Sequence, residues 1–313
     1  MLVEPCFSEF LSDPRNTVHP PPSHIPIEKV RQAADNAMVQ GLSPVMASVR
    51  DVDVALEGRV IPVRHYRPGE AEDLPAIVFC HGGGFVWGSI DTHDGLCRRL
   101  AAKTGAAVFS VGYRLAPETP FPGPVEDVLG VLETLTGRAD QHGIDANAVA
   151  LCGDSAGGAI CVSVAAVAVE SGLSLRHLGL FYPALDPACD AASQHAFADG
   201  PLLTKAAMEW FWSCYLRPGG SRSTVPLPGD VHDLSGLPPT TIATAEFDVL
   251  RDEAACFAKR LADAGVDTEY TCHPGMIHGF LSLSAASPRI DAAFHRMCRR
   301  LGAALAVTPG PGK

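Results

Sequence analysis

With 313 residues, nearly half of them apolar, the chain can bury one large core and lies within the reach of a single α/β domain with insertions. It has 35 acidic against 24 basic residues, a net charge of −11, and no Lys/Arg run, which excludes a basic nucleic-acid-binding face. Ten scattered cysteines, several inside apolar runs (Cys80, Cys152, Cys161), form no disulfide scaffold and read as reduced thiols of a cytoplasmic protein.

The start, Met1 to Cys6, lacks the basic and apolar stretches of a signal peptide, and Pro14 and Pro20 come soon after it. A helix is predicted over Ile27 to Gln40. Arg50 to Leu56 and Val60 to Tyr66 alternate around Glu57-Gly58, a hairpin pattern. Strand runs follow at Ala76 to Cys80, Ala106 to Gly112, Val149 to Cys152, His177 to Phe181, Thr240 to Ala245 and Thr268 to Cys272, with helical stretches between most of them. Such alternation predicts an α/β fold: a mostly parallel central sheet with helices on both faces. The apolar run Ala156 to Val169 is shorter than a membrane span and is bracketed by Asp154 and Glu170, so it reads as a core helix and no stable membrane insertion is expected. The proline-rich beginning and the stretch Asp186 to Asp230 do not fit the alternation and read as accessory structure.

Two motifs carry chemistry. Gly153-Asp154-Ser155-Ala156-Gly157-Gly158 is G-x-S-x-G between a buried strand and a small-residue helix, the setting of a nucleophile elbow that exposes the Ser155 hydroxyl. As a bare pattern it could be an ordinary glycine-rich turn; the strand-turn-helix context argues otherwise. His81-Gly82-Gly83-Gly84-Phe85 follows another buried strand, and its side-chain-free backbone can aim N–H groups at a developing oxyanion, as can the N–H of Ala156 after the nucleophile.

These motifs, with Tyr113 to Glu118, Phe247 to Glu253 and Gly275 to Phe280, resemble those of the hormone-sensitive lipase-like branch of the α/β-hydrolases, the bacterial family IV esterases, over most of the chain. The resemblance implies an α/β-hydrolase core over 46–185 and 231–313, and a helical cap from 1–45 and 186–230. It implies nucleophile Ser155, acid Asp248, base His278, and oxyanion donors at Gly83, Gly84 and Ala156. The expected activity is cofactor-free and metal-free hydrolysis of small-molecule esters with short to medium acyl chains. A homodimer through edge elements of the core is expected as well. Arg114 and Glu118 are expected to fix the glycine loop. Val249 stands where the family usually carries proline, which puts the stiffness of the acid's loop in question.

Reading the residues alone leads to the same partners. Serine, acid and histidine follow in that chain order in this fold. His278 lies in a loop after a strand, with His273 as its nearest rival, and Asp248 follows a strand, with Asp252 as runner-up. His177 and His195 precede the acid, and His295 lies in a helical tail. For the substrate pocket the candidates are Phe85, Trp87, Leu203, Trp210, Phe211, Ile277 and Phe280. A ligand receptor on the same fold would lack the catalytic histidine, whereas amide or thioester hydrolysis would use the same residues and stays open.

Overall fold

The computed structural model describes residues 3–37, 43–217, 225–282 and 287–306. Two helices come first, α1 (Ser8–Ser12) and α2 (Ile27–Ala37). The predicted end of α2, 38–40, lies outside the described residues. The hairpin β1 (Ser48–Leu56) and β2 (Arg59–Arg67) leads into β3 (Leu74–Cys80), α3 (Asp94–Thr104), β4 (Ala107–Val111), α4 (Gly123–Gly137) and α5 (Ala139–His142). Next come β5 (Ile144–Asp154), α6 (Ala156–Glu170), β6 (His177–Phe181), α7 (Ala192–Ala196) and α8 (Lys205–Tyr215). The chain closes with β7 (Thr240–Phe247), α9 (Arg251–Asp263), β8 (Thr268–Ile277) and α10 (Pro288–Leu305).

The strands form one sheet in the order β1-β2-β4-β3-β5-β6-β7-β8. β1–β2 and β2–β4 pair antiparallel and the remaining pairs are parallel, so the expected mostly parallel sheet is present. The two-residue period of β3 divides it between two cores. Ala76, Val78 and Cys80 pack toward α4, α6 and α9, whereas Ile77 and Phe79 pack toward α3 and α10. Both faces are therefore covered, and the loops at the strands' C-terminal ends are left to build a site.

β8 extends beyond the predicted Cys272 to Ile277. Its pairing with β7 shifts register between Ala245 and Phe247, and Phe247 then pairs with Ile277. Pro274 and Gly275 hid that extension, because neither residue favours a strand interior.

The two accessory segments are joined across the top. Val18 bridges Leu203, its N–H donates to Leu202 O (2.6 Å), and the Thr204 hydroxyl donates to Val18 O (2.7 Å). Among the described residues no helix is long and apolar enough to cross a membrane. All ten cysteines are free thiols.

Buried titratable groups set the pH range of stability. Burial lowers His65, His81 and His177 from 6.5 to about 4. Below about pH 6.5 the unfolded chain binds protons that the folded chain refuses, so stability falls as pH drops toward 4. Glu253 acts in the opposite direction, since burial raises its carboxyl from 4.5 to about 8. The folded chain keeps that proton while the unfolded chain loses it, so this contribution declines as pH rises from about 4.5 to about 8. Three histidines outweigh one glutamate on the acid side, and melting temperatures should peak near pH 6.5 and decline toward pH 8. Glu253→Gln should abolish the alkaline decline; a decline of the same size in the variant would assign it elsewhere.

Candidate active site

Ser155 sits between β5 and α6 at φ 53°, ψ −120°, a backbone conformation costing about 1–3 kcal/mol and found where the surroundings impose it. Here they do. Ser155 N–H donates to Phe181 O (2.8 Å), and Ser155 O accepts from the N–H groups of Gly158 (3.0 Å) and Ala184 (3.1 Å). The flanking glycines are required by close approach: a Cβ on Gly153 would lie 2.6 Å from the Gly157 backbone, and one on Gly157 would overlap the Cys80 carbonyl.

His278 follows β8 directly, and the strand's added length carries it to the serine. Its Nε2 lies 3.0 Å from Ser155 Oγ and its Nδ1 2.8 Å from Asp248 Oδ2. All three residues are buried. The Tyr182 ring meets the imidazole edge-on at 4.9 Å. Asp248 Oδ1 accepts the Leu250 N–H (3.0 Å), and the Ser193 hydroxyl donates to Val249 O (2.6 Å). A side-chain-closed turn thus holds the acid's loop where proline usually stands.

The other candidates are engaged elsewhere. Asp252 pairs with Arg251 (2.7 Å), His273 lies in β8 against Phe280, and His177 meets Thr241 Oγ1 (2.9 Å). His195 pairs with Asp190 at 2.8 Å, and His295 lies in α10.

The glycine loop enters from the end of β3. Gly83 and Gly84 have φ of 118° and 59°. Among the described residues the N–H groups of Gly83, Gly84 and Ala156 have no protein acceptor. Beneath them, Gly82 N–H donates to Asp154 Oδ1 (2.8 Å), with His93 Nε2 at 3.3 Å from the same oxygen. Burial alone would raise the Asp154 carboxyl, yet His93 and the Gly82 N–H bring it below the usual range. Tyr113 stacks on His81 and donates to His81 O (2.6 Å).

Arg114 and Glu118 do not touch the glycines. Arg114 forks onto the fully buried Asp127 (2.8 Å), which Arg59 also contacts, and so ties the segment after β4 to α4 and β2. Glu118 grips Arg31 of α2.

Ser155 and His278 open into a cavity of about 390 Å³. Of the predicted pocket residues, Trp87, Leu203 and Phe211 line it. Four do not. Phe85 is fully buried and stacked on Tyr215 at 3.9 Å; Ile277 and Phe280 belong to the core on the α10 side; Trp210 faces a separate outer hollow beside Pro21 and Cys214. Sequence reading missed Phe10, Val18, Val30, Ala33 and Ala34 from the first segment, and Leu202 and Met208 from the second. The spacing of Val30, Ala33 and Ala34 at i, i+3 and i+4 is a helical stripe that could have pointed to them.

Residues 77–282 match the family model of the alpha/beta hydrolase fold. The chain belongs to that family, in its hormone-sensitive lipase-like branch. It is similar to Carboxylesterase NlhH of Mycobacterium tuberculosis, 39% identical over 253 residues that cover 78% of this chain and 79% of that one. It is 33% identical to the ethyl acetate hydrolase of Pseudomonas putida over 265 residues, covering 82% and 83%. Among solved structures, the hyperthermophilic esterase of the archaeon Pyrobaculum calidifontis superposes with a TM-score of 0.88 at 33% identity, covering 98% of this chain and 100% of that one.

Proposed function

We propose that this chain hydrolyses carboxylic esters with short to medium acyl chains through an acyl-enzyme on Ser155. The observation that carries the reading is the hydrogen-bonded series Asp248, His278, Ser155 beside three N–H groups that have no acceptor among the described residues, with Ser155, His278, Gly83 and Gly84 all lining one cavity. His278 Nε2 takes the proton as Ser155 Oγ bonds to the ester carbonyl carbon. The N–H groups of Gly83, Gly84 and Ala156 receive the oxyanion. Collapse breaks the carbon–oxygen bond to the alcohol, which leaves with the proton from His278. Water then attacks the acyl carbon, giving a proton to the same nitrogen; the bond from that carbon to Ser155 Oγ breaks, Oγ regains the proton from His278, and the acid is released. Asp248 orients the ring and stabilises the imidazolium.

Carboxylesterase activity is what the named relatives share, and ethyl acetate lies at the small end of such substrates. A volume near the lower end of the range for small-molecule sites, roughly 300–1,000 Å³, agrees with short chains. In the same reading, 1–45 and 186–230 act as a cap over a core of 46–185 and 231–313.

Initial rates on p-nitrophenyl esters from acetate to palmitate test it. A maximum among the short esters supports the assignment, whereas activity on palmitate alone, or on none, removes it. Phe211→Ala opens the wall beside Gly84 and should move the maximum to longer acyl chains, with a stability loss of about 3 kcal/mol. An unmoved maximum would mean that Phe211 does not bound the acyl chain.

A further inference from the structure

α2 contributes Val30, Ala33 and Ala34 to the cavity, and Arg31 lies between them in sequence. The Arg31 guanidinium crosses to the glycine loop. Nε donates to Val86 O (2.7 Å) and Nη2 to Ala116 O (2.9 Å). Glu118 accepts from Nη1 (2.8 Å) and Nη2 (2.6 Å), which fixes the plane of the fork and balances its charge.

Both carbonyls belong to backbone that shapes the loop. The N–H groups of Val86 and Trp87 close on Gly83 O (3.1 and 3.0 Å), and Ala116 N–H donates to Phe85 O (2.9 Å). Three consecutive glycines are the most easily reoriented backbone in a chain, and an oxyanion site works only when its donors are aimed beforehand. A rigid planar fork can hold two carbonyls in fixed relation, which a lysine cannot do.

We infer that Arg31 is a positioning residue for the glycine loop, by which the helix lining the cavity also sets the aim of the Gly83 and Gly84 N–H groups. This rests on the proposed role of those glycines as oxyanion donors. An Arg31 that served only to shape the cavity would act on substrate binding; one that aims the donors acts on the chemical step.

The test compares wild type, Arg31→Ala, Arg31→Lys and Ser155→Ala on p-nitrophenyl butyrate, with melting temperatures recorded for each. The expected result is a kcat for Arg31→Ala lower by about tenfold to a hundredfold with KM changed less than about twofold. Methylguanidinium added to Arg31→Ala should recover part of the lost kcat. Arg31→Lys should fall between wild type and Arg31→Ala.

A kcat for Arg31→Ala within about twofold of wild type, a loss confined to KM, or a loss that methylguanidinium does not reduce would overturn the inference. Should Arg31→Ala fail to fold, Arg31→Lys decides: a lowered kcat at unchanged KM supports the inference and an unchanged kcat overturns it. Ser155→Ala separates the two levels. If it stays active, the parent reading fails; if it is inactive while Arg31→Ala keeps full kcat, only the positioning role fails.

Discussion

Replacing Ser155 by alanine is expected to lower kcat on p-nitrophenyl butyrate by about 10⁵- to 10⁶-fold, leaving only what the oxyanion donors and binding supply. The size follows from the unit that Ser155 forms with His278 and Asp248, at 3.0 and 2.8 Å. Without the hydroxyl, no covalent intermediate forms and His278 has no proton to take. The fold should be nearly indifferent to the change. The backbone that imposes the Ser155 conformation is held by Phe181, Gly158 and Ala184 through main-chain groups that alanine keeps, and the hydroxyl's partner is His278 alone among the described residues. Equal melting temperatures with a collapsed kcat would attribute the loss to chemistry. Comparable rates in the two proteins would place the nucleophile elsewhere.

Gly83→Ala is the second large effect. At φ 118° an L side chain is strained, and the new Cβ would overlap the Trp87 carbonyl oxygen while meeting Trp87 Cδ1 at 2.9 Å. The carbonyl belongs to a backbone turn that Trp87 N–H closes onto Gly83 O, so the loop itself must yield. When it does, the N–H groups of Gly83 and Gly84 turn from the position that the proposed mechanism gives to the oxyanion. Losing one such donor costs about 10²- to 10³-fold in kcat. Steady-state assays with wild type and Gly83→Ala should show that fall mainly in kcat. A rate within about threefold of wild type would remove the loop from the oxyanion role.

Much of this arrangement could be read from the residues because it depends on local rules. The elbow has glycines where backbone must pass against backbone, and the mostly parallel sheet follows from alternating apolar runs and helices. The cavity wall was only partly legible. In α8, Met208 and Phe211 lie one helical turn apart and face the cavity, while Trp210, next to Phe211, points outward. Nothing in an aromatic-rich run says which side of the helix will meet Gly84, because that is fixed by packing against residues more than a hundred positions away. Ile277 and Phe280 flank His278, yet both turn into the core on the α10 side. An apolar residue beside a candidate site residue looks the same in a sequence whether it packs into the core or lines a cavity. Arg31 was hidden for a related reason: its partners Val86, Ala116 and Glu118 lie 55 to 87 positions away.

The clasp between Val18 and the 202–204 segment spans 186 positions at its Thr204 bond. Closing so long a loop from an unfolded chain would cost about 2 kcal/mol more than closing a hairpin of about a dozen residues. Once the sheet has formed, however, its own connections already bring the two segments together, and the clasp closes over a short remaining distance. The roof they form also shares the cores that cover the sheet: Phe7 packs into the core on the α10 side, and Leu203, Met208, Phe211, Trp212 and Tyr215 pack into the other. Changes at Met208 or Phe211 therefore alter the cavity wall and a core together, whereas Phe10, Val30 and Ala33 border the cavity without belonging to either core, and changes there should leave the cooperative unfolding of the sheet nearly unaltered.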